Sequence, residues 1–335
     1  SPTPNHTVKF GVNYINHTFS PGVSILKQQI SDASIKQNTD TTYGDAKIYA
    51  QEMSAYFEDN FSISPVLELN LGLHYSTFLV QNHFYNLWPQ PRLGLRVLLN
   101  DNLSVKAGFA SMSQYVHLLS NSNISLPTDL WVPVTKRIPP MQSSQYSAGV
   151  FYNFRNLLDF SVEAYYKSMD NLIEYKDGAS FFGSTTGWED KVSIGKGWAY
   201  GIELLVQKSV GNTTGWLGYT WSRTERLFDR PGQRINNGVA FPAKYDRPHS
   251  ISIVGMHKFN EKIDIAATWV YSSGQRGTLA LHYYDGTEIP QHTDYETNVF
   301  ELPYISSRNN YKLPATHRLD VGINFHKKKK HGVRT

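Results

Sequence analysis

Residues 200–222 read YGIELLVQKSVGNTTGWLGYTWS. Along the first half, Ile202, Leu204 and Val206 fall on one side of an extended chain, with Gly201, Glu203 and Gln207 on the other. Successive side chains of a strand point to opposite faces, so this period of two builds one apolar and one polar face. The same period recurs along the chain. Phe160, Val162, Ala164 and Tyr166 alternate with Ser161, Glu163, Tyr165 and Lys167. Ile263, Ile265, Ala267, Trp269 and Tyr271 alternate with Asp264, Ala266, Thr268 and Val270, and Leu319, Val321, Ile323 and Phe325 alternate with Arg318, Asp320, Gly322 and Asn324. Leu67 to Tyr75 follow the same rule, and a helical period of 3.6 is nowhere sustained.

The 335 residues are 40% hydrophobic and 13% aromatic, too rich for a disordered chain, and 18% charge is low for a soluble enzyme. A net charge of +4 is too small over this length to argue for a nucleic-acid partner. With no cysteine, disulfide scaffolds, thiol catalysis and cysteine-ligated zinc are excluded. No apolar run reaches the length of a transmembrane helix. A negative mean hydropathy does not exclude a barrel, whose strands are only half apolar. The start, SPTPNHTVKF, does not resemble a signal peptide and reads as a chain cut or begun internally.

About twelve strands are expected, near 8–15, 47–58, 66–79, 88–99, 103–116, 143–154, 158–174, 198–209, 213–224, 247–258, 262–273 and 314–327. Short connections at 100–102, 154–159, 209–214 and 259–262 alternate with long polar, aromatic ones near 17–45, 117–142, 175–197, 224–246 and 273–313. One connection on the long side, at 81–86, is brief. Soluble sandwiches and propellers also alternate with period two, but their strands are shorter and their loops are not sorted by end. An all-β, antiparallel, up-and-down transmembrane barrel has long strands, short turns at one end and long loops at the other. On that reading Ile202, Leu204 and Val206 face lipid, while Glu163, Glu203, Asp264, Arg318 and Asp320 face the lumen. A one-residue slip would drive those charges into hydrocarbon, at up to ~2–4 kcal/mol for Arg or Lys and less for acids. Two open edges would cost on the order of tens of kcal/mol in a bilayer. The twelve strands therefore either close on themselves or belong to a larger barrel.

Several stretches carry a resemblance: Gln114 to Phe154, FSVEAYYKSMDNLIEYKDGASFFG, GKGWAYGIELLVQKSVGNTTGWLGYTWS and FPAKYDRPHSISIV. Within them stand a Pro-x-x-x-Ser-x-Gln-Tyr-x-x-Gly pattern (Pro140, Ser144, Gln145, Tyr146, Gly149) and a Lys-Tyr-Asp-Arg-Pro-His run, Lys244 to His249. In order and spacing they resemble the TonB-dependent outer-membrane receptors, Bacteroidetes-type members in particular. The resemblance covers nearly the whole chain. It implies a 22-stranded barrel closed by an amino-terminal plug, a TonB-type energy-transducing partner, outer-membrane lipids around the wall, and a Gram-negative outer membrane as location. Nothing here resembles the plug or the TonB-contacting segment, and the chain stops at HKKKKHGVRT. Residues 1–335 are therefore expected to be a single barrel segment, about strands nine to twenty of the family's barrel.

Candidate chemistry is thin. His282, His292, Asp285, Glu288 and Asp294 lie in the longest loop, but their spacing matches no zinc signature. Gly195, Gly197 and Gly201 make no phosphate-binding loop and are expected to ease the chain from loop into strand. No G-x-S-x-G elbow appears, no cofactor is called for, and Lys327 to Lys330 read as a solvated turn. Ligand binding is assigned to the outer loops and strand mouths: Asp129 with Trp131, Trp188 with Glu189 and Asp190, and Arg223 and Arg226 ahead of Arg230 and Arg234. Aromatic faces with a few charges suit a polar ligand such as a sugar, peptide or metal chelate. Packing of the loops on one another is the equal alternative, favoured for Trp131 by the prolines beside it. The function expected is active import through the outer membrane. A passive porin and an outer-membrane barrel enzyme are the competitors, and a neighbouring gene for a surface lipoprotein would point to glycan or peptide uptake.

Overall fold

The computed structural model describes residues 3–20, 24–32, 35–43, 47–86, 89–120, 129–179, 187–287 and 299–326, with backbone alone for 24–43, 287 and 299–300. Twelve long strands form one antiparallel ladder in chain order: β1 (His6–Phe19), β2 (Ile48–Ser64), β3 (Leu67–Val80), β4 (Gln90–Asn100), β5 (Leu103–Gln114), β6 (Met141–Phe154), β7 (Leu158–Tyr175), β8 (Val192–Lys208), β9 (Thr213–Leu227), β10 (His249–Asn260), β11 (Ile263–Ser272) and β12 (Thr316–Phe325). Two short pieces, His83–Asn86 and Phe241–Pro242, add to β3 and β9. Among the described residues the sheet is open, because β1 pairs only with β2 and β12 only with β11. Among the described residues no helix is long and apolar enough to cross a membrane.

Three of the short turns share one device. Asn100 Oδ1 accepts the Asn102 N–H at 2.9 Å, Asn153 Oδ1 accepts Asn156 N–H at 2.8 Å, and Asn260 Oδ1 accepts Lys262 N–H at 2.8 Å. An asparagine side chain here mimics a backbone turn and leaves the chain free to reverse within two residues. Register shifts at Ser62/Ser64, Leu98/Asn100 and Lys258/Asn260 place bulges at this same end, where they add twist as the ladder begins.

One cross-sheet row displays the polar face. Ser62, Glu68, Arg96, Lys106, Gly149, Glu163, Glu203, Thr220, Ser250, Ser272 and Thr316 pair in succession from β2 to β12. The other face is apolar and exposed, with Leu71, Leu73, Leu95, Val150, Val162, Ile202, Leu204, Ile253, Leu319 and Val321. Tyr146, Tyr166 and Tyr200 pair across β6, β7 and β8 on that face, and Trp221 pairs with His249 further along. Such amphipathic rings mark the edge of an apolar band.

The buried hydrophobic residues sit at the long-loop end. Ile48, Ala50, Phe78, Val80, Tyr115 and Val134 form one cluster. Leu119, Val132, Ile138, Ile173, Tyr175, Trp188 and Val192 form a second, and Leu172, Phe228, Ile235 and Phe241 a third. Segments expected as plain loops carry hairpins of their own: Ser24–Asp32 with Ile35–Tyr43, Val116–Leu119 with Leu130–Pro133, and His282–Thr287 with Val299–Tyr304. Strand β8 also starts earlier than expected, at Val192 rather than 198. Gly195 and Gly197 are inside it, not in a turn. A Cβ on Gly195 would lie 2.5 Å from both the Leu227 carbonyl oxygen and the Phe228 ring, so the glycine lets Phe228 lie flat on the strand.

Candidate functional site

Above the apolar band, β7 and β8 continue as a long arm, and a bulge at Asn171 (φ 58°) resets its faces. Beyond the bulge Leu172 and Glu174 share the polar face with Gly195 and Ser193, while Ile173 and Tyr175 lie on the other face with Ile194 and Val192. The connection between β5 and β6 packs its short hairpin against that other face. Leu119 and Val132 are buried there with Ile173, Tyr175 and Trp188.

On the hairpin's free side Trp131 stands 57% exposed, opposite Leu118 in register. Beside it Asp129 accepts a hydrogen bond from the Tyr245 hydroxyl at 2.7 Å and pairs with Lys244 Nζ at 3.4 Å. Burial, and then the Asp129 carboxylate, push the Tyr245 phenol up to about 12 although its ring remains half exposed. Trp131, Asp129, Tyr245 and Lys244 thus form an exposed aromatic and charged patch joining two connections that are 115 residues apart.

The other assigned residues are dispersed. Trp188 is 4% exposed inside the second cluster and packs rather than faces solvent. Glu189 and Asp190 hold Arg137, at 3.4 and 2.5 Å, which fastens the β7–β8 connection to the β5–β6 connection. Arg223 and Arg226 lie on opposite faces of β9. Arg223 pairs in register with Tyr200 on the apolar side and is 3.9 Å from Glu225, whereas Arg226 pairs with Gly197 on the polar side and reaches Glu174. Arg230 and Arg234 are exposed.

On the polar face, Glu163 and Glu203 are directly opposed in register, two carboxylates side by side. Asp264 pairs with Asn324 and takes its side-chain hydrogen bond at 2.8 Å, and Arg318 is clamped by Asp320 at 2.8 and 3.0 Å. Five residues expected on one face therefore share it. Of the histidine and acid set, Asp285 is across from Glu301 on a hairpin. Glu288, His292, Asp294 and Lys327 to Lys330 lie outside the described residues. No group of three or more metal-ligating side chains forms among the described residues.

A family model described as TonB dependent receptor-like, beta-barrel, matches residues 2–332. The chain belongs to this family. Its sheet is accordingly part of a barrel of the Gram-negative outer membrane. Similar solved structures are the FrpB iron transporter of Neisseria meningitidis (14% identity, TM-score 0.60, 97% of this chain and 46% of that one) and the siderophore receptor PiuA of Acinetobacter baumannii (14%, 0.60, 98% and 48%). The copper transporter OprC is a third (12%, 0.61, 98% and 47%). The chain spans just under half the length of each, and these identities speak for the fold alone. No curated protein matches.

A charged cluster deeper in the mouth was not foreseen. Glu174, 4% exposed, takes Arg226 on one oxygen and Arg308 on the other at 3.1 Å, and Arg308 also reaches Asp177 at 3.0 Å. Glu174 and Arg308 are 134 residues apart. The only signal was a carboxylate inside the apolar run Asn-Leu-Ile-Glu-Tyr, which demands a buried cation somewhere.

Proposed function

We propose that this chain is the greater part of the barrel wall of an active-transport receptor that captures an extracellular ligand at its loop end and imports it with TonB-supplied energy. The observation that carries the reading is the family match along the full length of an open ladder, on whose polar face Glu163 and Glu203 have no ion pair among the described residues. Like charges directly opposite on a sheet repel, and Glu163 beside Glu203 accordingly favours a cationic partner surface inside the lumen. A plug contributed by the rest of the protein answers that need, in a barrel of about 22 strands. Asp129, Trp131, Tyr245 and Lys244 are the first contact for the ligand; Trp188 and Arg137 with its two acids hold the loops that present it. The family is one of transport receptors, and we assign no catalysis, cofactor or nucleic-acid partner. Outer-membrane lipids surround the apolar face, and a surface lipoprotein would sit over the loops if the ligand is a glycan or peptide.

The test is growth of a strain lacking the full-length gene on defined iron, vitamin, peptide and glycan sources, with and without its TonB gene. Loss of growth on one source in both deletions supports the receptor. Uptake that survives removal of TonB supports a passive porin instead.

A further inference from the structure

The described part of the β11–β12 connection returns to β12 through the strap Tyr304–Leu313. Its central residues, Arg308 and Asn309, are buried and hydrogen-bonded. Arg308 is 8% exposed; its guanidinium donates to Glu174 and Asp177, and its backbone N–H donates to Asn236 Oδ1 at 2.9 Å. Asn309, with φ 52°, donates its side-chain N–H to the Pro242 carbonyl at 2.8 Å and its backbone N–H to Thr278 Oγ1 at 3.0 Å. Asn310 exchanges hydrogen bonds with the Leu279 backbone at 2.9 and 3.0 Å. Three connections, from β7, β9 and β11, therefore meet at one buried carboxylate on the polar face. Phe228, Ile235 and Phe241 lie packed together beside it.

Two features make this a fastening that can be released. The cluster is short of acceptors: two guanidiniums share Glu174, the Asp177 side chain is 57% exposed, and Arg308 Nε is buried with no hydrogen-bond partner among the described residues. A buried N–H left unmade is unfavourable, and an arriving anion brings further oxygens to such donors. The β9–β10 connection beside it is also net positive: residues 228–248 carry four Lys or Arg (Arg230, Arg234, Lys244, Arg247) against two acids (Asp229, Asp246), and Arg230 and Arg234 are exposed.

We propose that Arg308 fastens the Tyr304–Leu313 strap over the polar face at the mouth, and that an anionic group of the incoming ligand frees the strap by drawing Arg308 and Arg226 away from Glu174. The proposal rests on the polar face being the import path, and it adds the charge of the ligand and the step that its arrival triggers.

Ser193 supplies the reporter. It is fully buried and sits directly across β7–β8 from Glu174. In the full-length receptor in detergent micelles, with any other cysteine removed, a Ser193→Cys thiol reacts slowly with a maleimide. Adding Arg308→Gln raises the rate at least about tenfold, because the local opening becomes easier. Citrate or pyrophosphate at constant ionic strength raises the rate in the Arg308 background and leaves it unchanged in Arg308→Gln. Arg96→Gln, which frees an exposed ion pair with Glu68 near the short-turn end, has no effect. Heat-modifiable gel mobility confirms a folded barrel in each variant. Equal rates with and without Arg308→Gln overturn the fastening, and a rise with Arg308→Gln but none with either anion overturns the release step. Labelling needs no transport, so a receptor whose uptake proves independent of TonB still reports the strap.

Discussion

His117 gives the sharpest quantitative prediction. It lies on the buried side of the Val116–Leu119 hairpin, 4% exposed, with Nε2 lacking a hydrogen-bond partner among the described residues. Burial lowers its pKa from 6.5 to about 4, against a smaller upward pull from a hydrogen bond to the Pro139 backbone. The closed hairpin therefore holds a neutral imidazole, whereas an opened hairpin protonates it near 6.5. This contribution to stability is complete above pH 6.5 and is lost as pH falls toward 4. The full shift is worth ~3 kcal/mol at about 1.36 kcal/mol per pH unit. By pH 5 about 2 kcal/mol has gone, roughly a thirtyfold change in the closed-to-open ratio. Hydrogen exchange of residues 116–119 and 130–133 in the full-length receptor, corrected for intrinsic rates, reads that ratio at pH 7.5 and 5, with β7 as internal reference. His117→Gln does not titrate and abolishes the dependence. Equal protection at the two pH values, or the same loss in His117→Gln, refutes the reasoning.

Other consequences follow from the two faces and the loops. Leu204→Arg puts a cation on the lipid side and costs ~2–4 kcal/mol near the middle of the band, whereas Glu203→Gln one residue away changes stability by less than ~0.5 kcal/mol; urea titration in lipid vesicles compares them. Glu203→Lys, facing Glu163, replaces repulsion by attraction and gains ~0.2–1 kcal/mol in the same titration. Gly274 tolerates no side chain, since a Cβ would lie 1.6 Å from the Leu313 carbonyl oxygen. Gly274→Val should loosen the Arg276–Gly277 and Tyr311–Lys312 pairing by ~2 kcal/mol or more, seen as faster proteolysis within 273–315. Arg137→Ala removes an exposed ion pair and should change loop protection by no more than ~1 kcal/mol.

The twelve strands and their faces were legible because a period of two needs only local information. Phe160 to Lys167 declare their two sides without reference to any partner, and pairing with β6 and β8 merely uses them. Where the chain leaves the lipid band that constraint ends. Above it both faces of β7 find protein, so Ile173 and Glu174 are equally buried and the alternation no longer distinguishes lipid from lumen. The glycines at 195 and 197 were illegible for the same reason: Gly195 admits Phe228, 33 residues away, and Gly197 admits the Glu225 carbonyl and the Leu172 side chain, none of them visible as a neighbour in the sequence. Asp129 was picked out as a charge beside an aromatic residue, but its partners Lys244 and Tyr245 come from another loop. Arg308 gave no sign at all, because a single arginine in a polar segment looks solvated until its carboxylate is found.

The open edges decide what the sheet can be. Strands β1 and β12, of 14 and 10 residues, are each paired on one side only. In hydrocarbon every unpaired backbone group costs several kcal/mol, so either edge alone costs on the order of tens. That exceeds the ~5–15 kcal/mol by which a folded domain is typically stable. The apolar faces tell the same story. Leu319, Val321 and Ile323 on β12 are 57–62% exposed, against 37–43% for Ile202 and Leu204 in the middle of the sheet, because no neighbouring strand covers their flank. In a bilayer this ladder is stable only with further strands along both edges. Continuing the curl through those strands turns the Glu68–Thr316 row into part of the inner circumference of a barrel wider than twelve strands could enclose. A lumen of that width has room for a folded partner, and the paired carboxylates of β7 and β8 stand on the sheet's polar face.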